Sequence, residues 1–243
     1  MTRPAMPISP LPLIIIRPEP GASKTEARAE VMGFITVKSP LFSIEPMEWA
    51  VPGLPDGGSF DALLLTSANA AREAGEGLAA LRGLPCLAVG EATAEAARRA
   101  GLTPAWVGES TGGAALQEAA RAGYRQLLWL SGEQHSPLAH RDVTLTTVPV
   151  YRARSISPTA ELEEALSHPV IVMVHSQRAA WALAELVNGP EGVMARGTIG
   201  VIAISAGVAA TLGEGWAWSH WPQAPRDEDM LELARTLCQK ARP

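Results

Sequence analysis

A chain of 243 residues with 20 Lys and Arg against 25 Asp and Glu has a net charge of −5, which excludes the dense basic surface that a nucleic-acid backbone requires. Its 47% hydrophobic residues come in short pieces, none near the roughly 18 consecutive apolar residues that span a bilayer, and the opening Met1-Thr2-Arg3-Pro4 does not read as a secretory signal. The 2 cysteines, Cys86 and Cys238, form neither a disulfide framework nor a metal site, so the expected compartment is the cytoplasm.

In chain order, the pattern predicts a first strand at 13–16, ended by Arg17-Pro18-Glu19-Pro20-Gly21, where prolines and glycine stop it. A helix over 23–32 follows, closed by Gly33. Residues 34–44 are β-like, with Pro40 at a position that suits an edge or a linker, and 46–59 is a loop. From 60 to 148 strands and helices alternate: strands at 62–65, 86–89, 106–107 and 126–130, helices near 70–81, 93–99 and 113–122. Such alternation implies a parallel sheet covered on both faces. Residues 143–152 are again β-like and make the natural partner for 34–44. If they pair, the middle block is an insertion, and the first 33 residues belong with the C-terminal block. That block has a strand from Val170 and helices near 179–186, 208–212 and 227–240, while Trp216, Trp218 and Trp221 read as a strand with one aromatic face.

A phrase occurs twice. Leu63-Leu64-Leu65-Thr66-Ser67-Ala68-Asn69 returns roughly 110 residues later as Val172-Met173-Val174-His175-Ser176-Gln177-Arg178. Each copy leads into an Ala-rich helix and then a second apolar run with a small-residue turn, Val89-Gly90-Glu91 and Ile204-Ser205-Ala206-Gly207. Strand ends that pass through small hydroxylated residues into a helix point unpaired N–H groups beyond the sheet, where they hold anions. Two such sheets, opening their carboxyl edges onto one cleft, would grip an anionic ligand.

The candidates each carry a plain structural role as well. Thr66, Ser67 and Asn69 serve as helix caps worth about 1 kcal/mol, while the N–H groups of Ser67, Ala68 and Asn69 face a ligand. Gly90 lets a carboxylate approach the backbone, with Thr93 one turn on. Ser131-Gly132 and Ser176-Gln177 are the equivalent turns on other strands, and Arg17 at the first strand's end suits either a substrate carboxylate or a local acid. His175 stands beside these turns as a proton donor or as a buried capping residue. The 5 histidines lack zinc-helix spacing, so no metal is expected.

Taken together, Arg17-Pro18, Thr66-Ser67-Ala68-Asn69-Ala70, Val89-Gly90-Glu91-Ala92-Thr93-Ala94, Leu130-Ser131-Gly132-Glu133, Val150-Tyr151-Arg152 and His175-Ser176 resemble the uroporphyrinogen-III synthase family in order and spacing. The resemblance implies two flavodoxin-like α/β domains with parallel sheets: 1–36 plus 153–243, and an inserted 47–143, joined by a two-stranded β linker of 37–46 and 144–152. It implies cyclisation of hydroxymethylbilane to uroporphyrinogen III, with loss of water and inversion of ring D through an azafulvene and spiro pathway. Tyr151 matches the family's tyrosine that assists hydroxyl departure, and Thr93 matches a residue that touches the tetrapyrrole. No metal or organic cofactor is implied. The remaining implications are a cytoplasmic monomer, away from membranes and nucleic acid, that receives its substrate from hydroxymethylbilane synthase. One departure stands out: the last turn, Ser205-Ala206-Gly207-Val208, lacks the hydroxyl that Thr93 supplies in the other copy. Two further readings follow from the residues alone, a non-catalytic two-domain binding protein for a small anionic ligand and a degenerate synthase-like partner module.

Overall fold

The computed structural model describes residues 11–54, 57–108, 111–188 and 196–240. Its contacts divide the chain into two compact units, Met1–Ser43 with Ser155–Pro243, and Ile44–Arg154.

The first unit is built on five parallel strands: β1 (Leu13–Ile15), β2 (Thr36–Lys38), β9 (Val170–Val174), β10 (Ile199–Ala203) and β11 (Trp218–His220). They lie in the order β11-β10-β9-β1-β2, and all pair in parallel. Helices α1 (Gly21–Val31), α5 (Ala160–Leu166), α6 (Gln177–Val187), α7 (Ala206–Leu212) and α8 (Asp227–Lys240) belong to the same unit. Read in order of appearance the strands run 2-1-3-4-5, the flavodoxin arrangement. Every residue of β1, β9 and β10 is buried, which is why these strands read as unbroken apolar runs rather than alternating ones.

The second unit holds a six-stranded sheet in the order β3-β8-β7-β4-β5-β6. Its strands are β3 (Phe42–Pro46), β4 (Ala62–Leu65), β5 (Cys86–Val89), β6 (Pro104–Gly108), β7 (Gln126–Gly132) and β8 (Thr144–Ser155). Helices α2 (Ala68–Glu73), α3 (Glu91–Arg99) and α4 (Gly112–Arg121) connect the parallel strands. The order of its five parallel strands is 3-2-1-4-5, so the two units share a doubly wound architecture with different strand orders. Residues of alternate parity face opposite cores: Leu63, Leu65, Leu128 and Leu130 on one side, Leu64, Leu127 and Trp129 on the other.

Several elements differ from the sequence reading. The β-like segment 34–44 is two strands. Ser39 and Leu41 donate their N–H groups to Ile15 and Ile16, so the chain follows β1 past Pro40 before β3 begins. The segments expected as a linker lie side by side as β3 and β8, and β8 in addition runs along β7 from Thr144 to Tyr151 as a full strand. The helix expected over 70–81 stops at Glu73, where Gly75 (φ 60°) turns the chain into the 3₁₀ segment Gly75–Leu81. Helix α5 escaped the sequence reading, although Pro158-Thr159 and the acidic first turn of Glu161 and Glu163 announce it, and Thr159 Oγ1 accepts from Leu162 N at 3.2 Å. The aromatic strand is shorter than expected. Trp218 alone of the three tryptophans lies in β11 and packs on the core, whereas Trp221 follows the strand with 49% of its surface exposed.

Leu64 is fully buried at the centre of the six-stranded sheet. Truncation by Leu64→Ala should lower the unfolding free energy by about 2–5 kcal/mol, read as a shifted urea midpoint. An unchanged midpoint would mean that this strand is not a central one.

Candidate active site

In a doubly wound sheet, connections diverge to opposite sides at one strand pair, and the crevice beyond the carboxyl ends of that pair is the place for a ligand. In the second unit the pair is β4 and β7. Their ends carry Thr66-Ser67 and Ser131-Gly132, with Tyr151 on the neighbouring β8. Ser67 caps α2, its hydroxyl accepting from Asn69 N at 3.2 Å, and Asn69 Oδ1 accepts from Arg72 at 3.0 Å. Thr66, Ser67, Ala68 and Asn69, which follow the carboxyl end of β4, are all half-buried. Gly90 caps α3 with φ 86°, and a Cβ built there meets nothing within 4 Å, so the space above this turn is open. Thr93 is different. It is 4% exposed on the inner face of α3, so in this conformation its side chain is part of the packing.

Gly132 and Tyr151 are a fitted pair. The β7–β8 register shifts between Ser131 and Gly132, bringing Gly132 opposite Tyr151. A Cβ on Gly132 would stand 2.8 Å from Tyr151 Cζ, and Tyr151 O accepts from Glu133 N at 2.8 Å. The missing side chain of Gly132 is thus used by the tyrosine ring, not by close approach of a ligand to the backbone. Tyr151 is half-buried, its ring resting against the core cluster that contains Leu130 and Val150.

In the first unit the diverging pair is β1 and β9, and their ends carry Arg17 and His175-Ser176. Here the crevice contains a carboxylate of the chain itself. Asp227, the first residue of α8, accepts from Arg17 Nη1 at 3.1 Å, from Thr25 Oγ1 at 2.8 Å, from Arg28 Nη1 at 2.9 Å and from His175 Nε2 at 2.8 Å. Burial pushes the Asp227 carboxyl up, but the hydrogen bonds from His175 and Thr25 and the charge of Arg17 outweigh it. Its pKa lies well below the usual carboxylate range. Burial likewise holds the His175 imidazole below its ordinary value, only partly opposed by Asp227. A neutral imidazole whose Nε2–H is committed to Asp227 is a structural residue, which replaces the proton-donor reading of His175. Arg17, a candidate for a substrate carboxylate, has its Nη1 engaged by Asp227 and Thr25.

Ser176 caps α6, its hydroxyl accepting from Ala179 N at 3.2 Å, and Gln177 opens that helix in an exposed position. Ser205 caps α7 in the same way, accepting from Val208 N at 3.4 Å. Val208 is 6% exposed where the other copy has Thr93, so both positions are packing sites and the missing hydroxyl costs the edge little.

Residues 23–232 match the family model described as uroporphyrinogen-III synthase HemD. The chain belongs to the uroporphyrinogen-III synthase family. Members of this family are lyases of haem and wider tetrapyrrole synthesis, and the chain is an enzyme of that class. Uroporphyrinogen-III synthetase from Helicobacter pylori superposes with a TM-score of 0.61 at 19% identity, covering 93% of this chain and 99% of that one. A mutant uroporphyrinogen III synthase from the extremely thermophilic bacterium Thermus thermophilus gives 0.51 at 21% identity, with 95% and 99% covered. At such identities the likeness establishes the fold, two flavodoxin-like α/β domains with parallel sheets. No curated protein matches the chain in sequence. Among the described residues no helix is long and apolar enough to cross a membrane, and no group of three or more His, Cys, Asp or Glu is placed to hold a metal ion.

The fold thus brings Thr66, Ser67, Ala68, Asn69, Gly90, Ser131, Gly132 and Tyr151 to one sheet edge and Arg17, Ser176 and Gln177 to another. Asp227 was not among the expected residues, its only signal in the sequence being an acid at the start of the last helix. Two outcomes check this geometry. Gly132→Ala should displace the Tyr151 ring and lower turnover by at least tenfold with the fold retained by circular dichroism. The second is a pH dependence. Unfolded His175 takes a proton below about pH 6.5, which its folded surroundings resist, whereas the contribution of the depressed Asp227 is intact above about pH 5 and is lost only as pH falls through the ordinary carboxylate range toward its folded value. The unfolded state therefore binds more protons as pH falls, and stability of the first unit should decline from pH 7 to pH 5. His175→Gln should flatten that slope in urea titrations; an equal slope would assign the loss to other groups.

Proposed function

We propose that the chain is a uroporphyrinogen-III synthase that closes linear hydroxymethylbilane to uroporphyrinogen III, inverting ring D and releasing water. The observation that carries this reading is the Tyr151 phenol held over Gly132 on the same sheet edge as the Thr66–Asn69 turn, two strand spacings or about 10 Å away. An electron-rich hydroxymethylpyrrole expels its hydroxyl as water once a proton reaches the leaving oxygen. Ring D attacks the azafulvene methylene through its substituted α-carbon to give a spiro intermediate; the older bond from that carbon to the neighbouring methylene breaks, re-forms at the free α-carbon of ring D with loss of its proton, and leaves that ring inverted in the closed macrocycle.

Left alone, the azafulvene closes without inversion, so the enzyme's task is to hold the polycarboxylate chain in the bend that leads to inversion. Positioning supplies most of the effect, and a proton from Tyr151 adds roughly 10²- to 10⁴-fold. Thr66, Ser67, Ala68, Asn69 and the Gly90 turn hold substrate carboxylates through N–H and O–H donors, and Ser131 with Gly132 forms the floor beneath Tyr151. Ser176 and Gln177 are further candidate donors at the carboxyl edge of the first unit, and Arg17 orders the β1–β9 crevice of that unit. Thr93 contacts the tetrapyrrole only if α3 shifts to uncover it. The reaction is loss of water followed by ring closure and calls on no redox cofactor. The protein works as a cytoplasmic monomer supplied by hydroxymethylbilane synthase.

Two measurements test the proposal. With a source of hydroxymethylbilane, the oxidised products should be the isomer III porphyrin; isomer I alone would mean that the bilane closed unaided and that the synthase reading is wrong. Tyr151→Phe should slow enzymatic closure at least tenfold with a melting temperature within a degree or two of wild type, and wild-type turnover in that variant would remove the phenol from the mechanism.

A further inference from the structure

Trp129 lies on β7 with 2% of its surface exposed, packed among Leu64, Leu87, Leu116 and Leu127. Its register partner on β4 is Leu64, and side chains two apart on a strand share a face, so the indole is a diagonal neighbour of Thr66. Trp129 Nε1 reaches Thr66 Oγ1 at 3.1 Å.

The direction of this bond follows from chemistry. An indole nitrogen is a donor only, so the threonine oxygen is the acceptor. The O–H hydrogen of Thr66 is thereby left without a protein acceptor among the described residues. The hydroxyl on the adjacent strand end is disposed the other way. Ser131 Oγ is 3.0 Å from the Gly132 carbonyl, which can only accept, so the serine hydrogen is directed into the protein, and Ser131 is 1% exposed. Of the two strand-end hydroxyls flanking the β4–β7 crevice, one has used its hydrogen and the other has it available to a ligand. A buried indole is rigid, and a hydroxyl that accepts from it is held in a narrow range of orientations.

We infer that Trp129 is a positioning residue for substrate: its N–H occupies the acceptor side of the Thr66 hydroxyl and so presents that hydroxyl as a donor to a carboxylate oxygen beyond the sheet edge. Trp129 does not touch the ligand, and its whole effect passes through Thr66. A hydroxyl donating to a carboxylate is a charge-assisted bond, stronger than a neutral pair, which gives a buried aromatic residue a measurable hold on substrate affinity. The inference rests on the proposed cyclisation of hydroxymethylbilane and adds to it the group that orients one of its binding donors.

The experiment is a cycle of Trp129→Phe, Thr66→Val and the double variant, read as KM and kcat for isomer III formation. Trp129→Phe should raise KM about three- to tenfold and leave kcat within about twofold, the size of one hydrogen bond lost from binding. Thr66→Val should raise KM by at least as much, and the double variant should be no worse than Thr66→Val, because the indole has nothing left to act through. Replacing Trp129 with benzothienylalanine, which keeps the ring shape and exchanges N–H for sulfur, should reproduce the KM rise and covers the case in which phenylalanine leaves too large a void to fold. Effects of the two sites that multiply in the double variant, or a benzothienylalanine protein with wild-type KM, would overturn the role of Trp129 while leaving the synthase activity in place. A wild-type protein yielding isomer I alone would overturn the activity and the inference together.

Discussion

Parallel strands buried on both faces leave a protein only one surface at which to do chemistry, the ends of the strands. In this chain β1, β4, β9 and β10 are buried along their whole length, with helices closing both sides of each sheet. The consequence is that the candidate binding residues come from carboxyl edges, in the turns at Thr66–Asn69, Gly90 and Ser176–Gln177 and the last residues of β7, while Tyr151 comes from the half-buried strand β8. Such turns must also start a helix, so their hydroxyls serve the backbone first. Ser67, Ser176 and Ser205 each accept from an N–H two or three residues on, and their remaining hydrogen-bonding capacity is what a substrate meets.

The two units use the same edge differently. The first holds its own carboxylate there: Asp227 gathers Arg17, Thr25, Arg28 and His175, tying the end of β1, the face of α1, the end of β9 and the start of α8 into one charged node. A charge so surrounded is costly to expose and costly to neutralise, so the node makes that edge rigid. At the β4–β7 crevice of the second unit the acid that follows β7, Glu133, is exposed, and no comparable buried node appears among the described residues. That unit has instead a half-buried phenol over a glycine, a cap whose backbone is open, and a threonine hydroxyl set by a buried indole. These are fixed neutral groups, which cost little to desolvate compared with charges. The same preference for placement over reactive groups accounts for the lack of any triad or carboxylate dyad in the sequence.

Much of the fold was legible because its signals are local. Apolar runs of four or five residues bounded by small turns placed β4 and β5 at their observed bounds, and the alternation with Ala-rich helices announced parallel sheets. The places where local reading went astray have tertiary causes. Residues 34–44 look like one strand until β1 is known to pull Ser39 and Leu41 toward itself before the chain enters the second sheet. The tryptophan alternation near 216–221 looked like one aromatic face because spacing does not reveal where a strand ends. His175 stayed open between proton donor and buried residue, since nothing near it in sequence shows that Asp227, 52 positions on, holds it in the buried role.

What the sequence by itself determined about this protein is the inventory: paired βα units, strand ends built from Thr, Ser, Gly and Asn, a tyrosine after the last strand-forming run of the inserted block, and a family pattern spread along the chain. These are properties of neighbouring residues, and neighbours in sequence are neighbours in space. The tertiary structure alone decided which hydroxyl keeps its hydrogen, which glycine is a seat for a ring and which arginine is already bound to an acid. Each of those depends on a partner 19 to 210 positions away, Gly132 with Tyr151 at the near end and Arg17 with Asp227 at the far one. The direction of a hydrogen bond and the room for a Cβ are set by whatever atom the fold brings within a few ångströms, and a one-dimensional pattern carries no distance across strands.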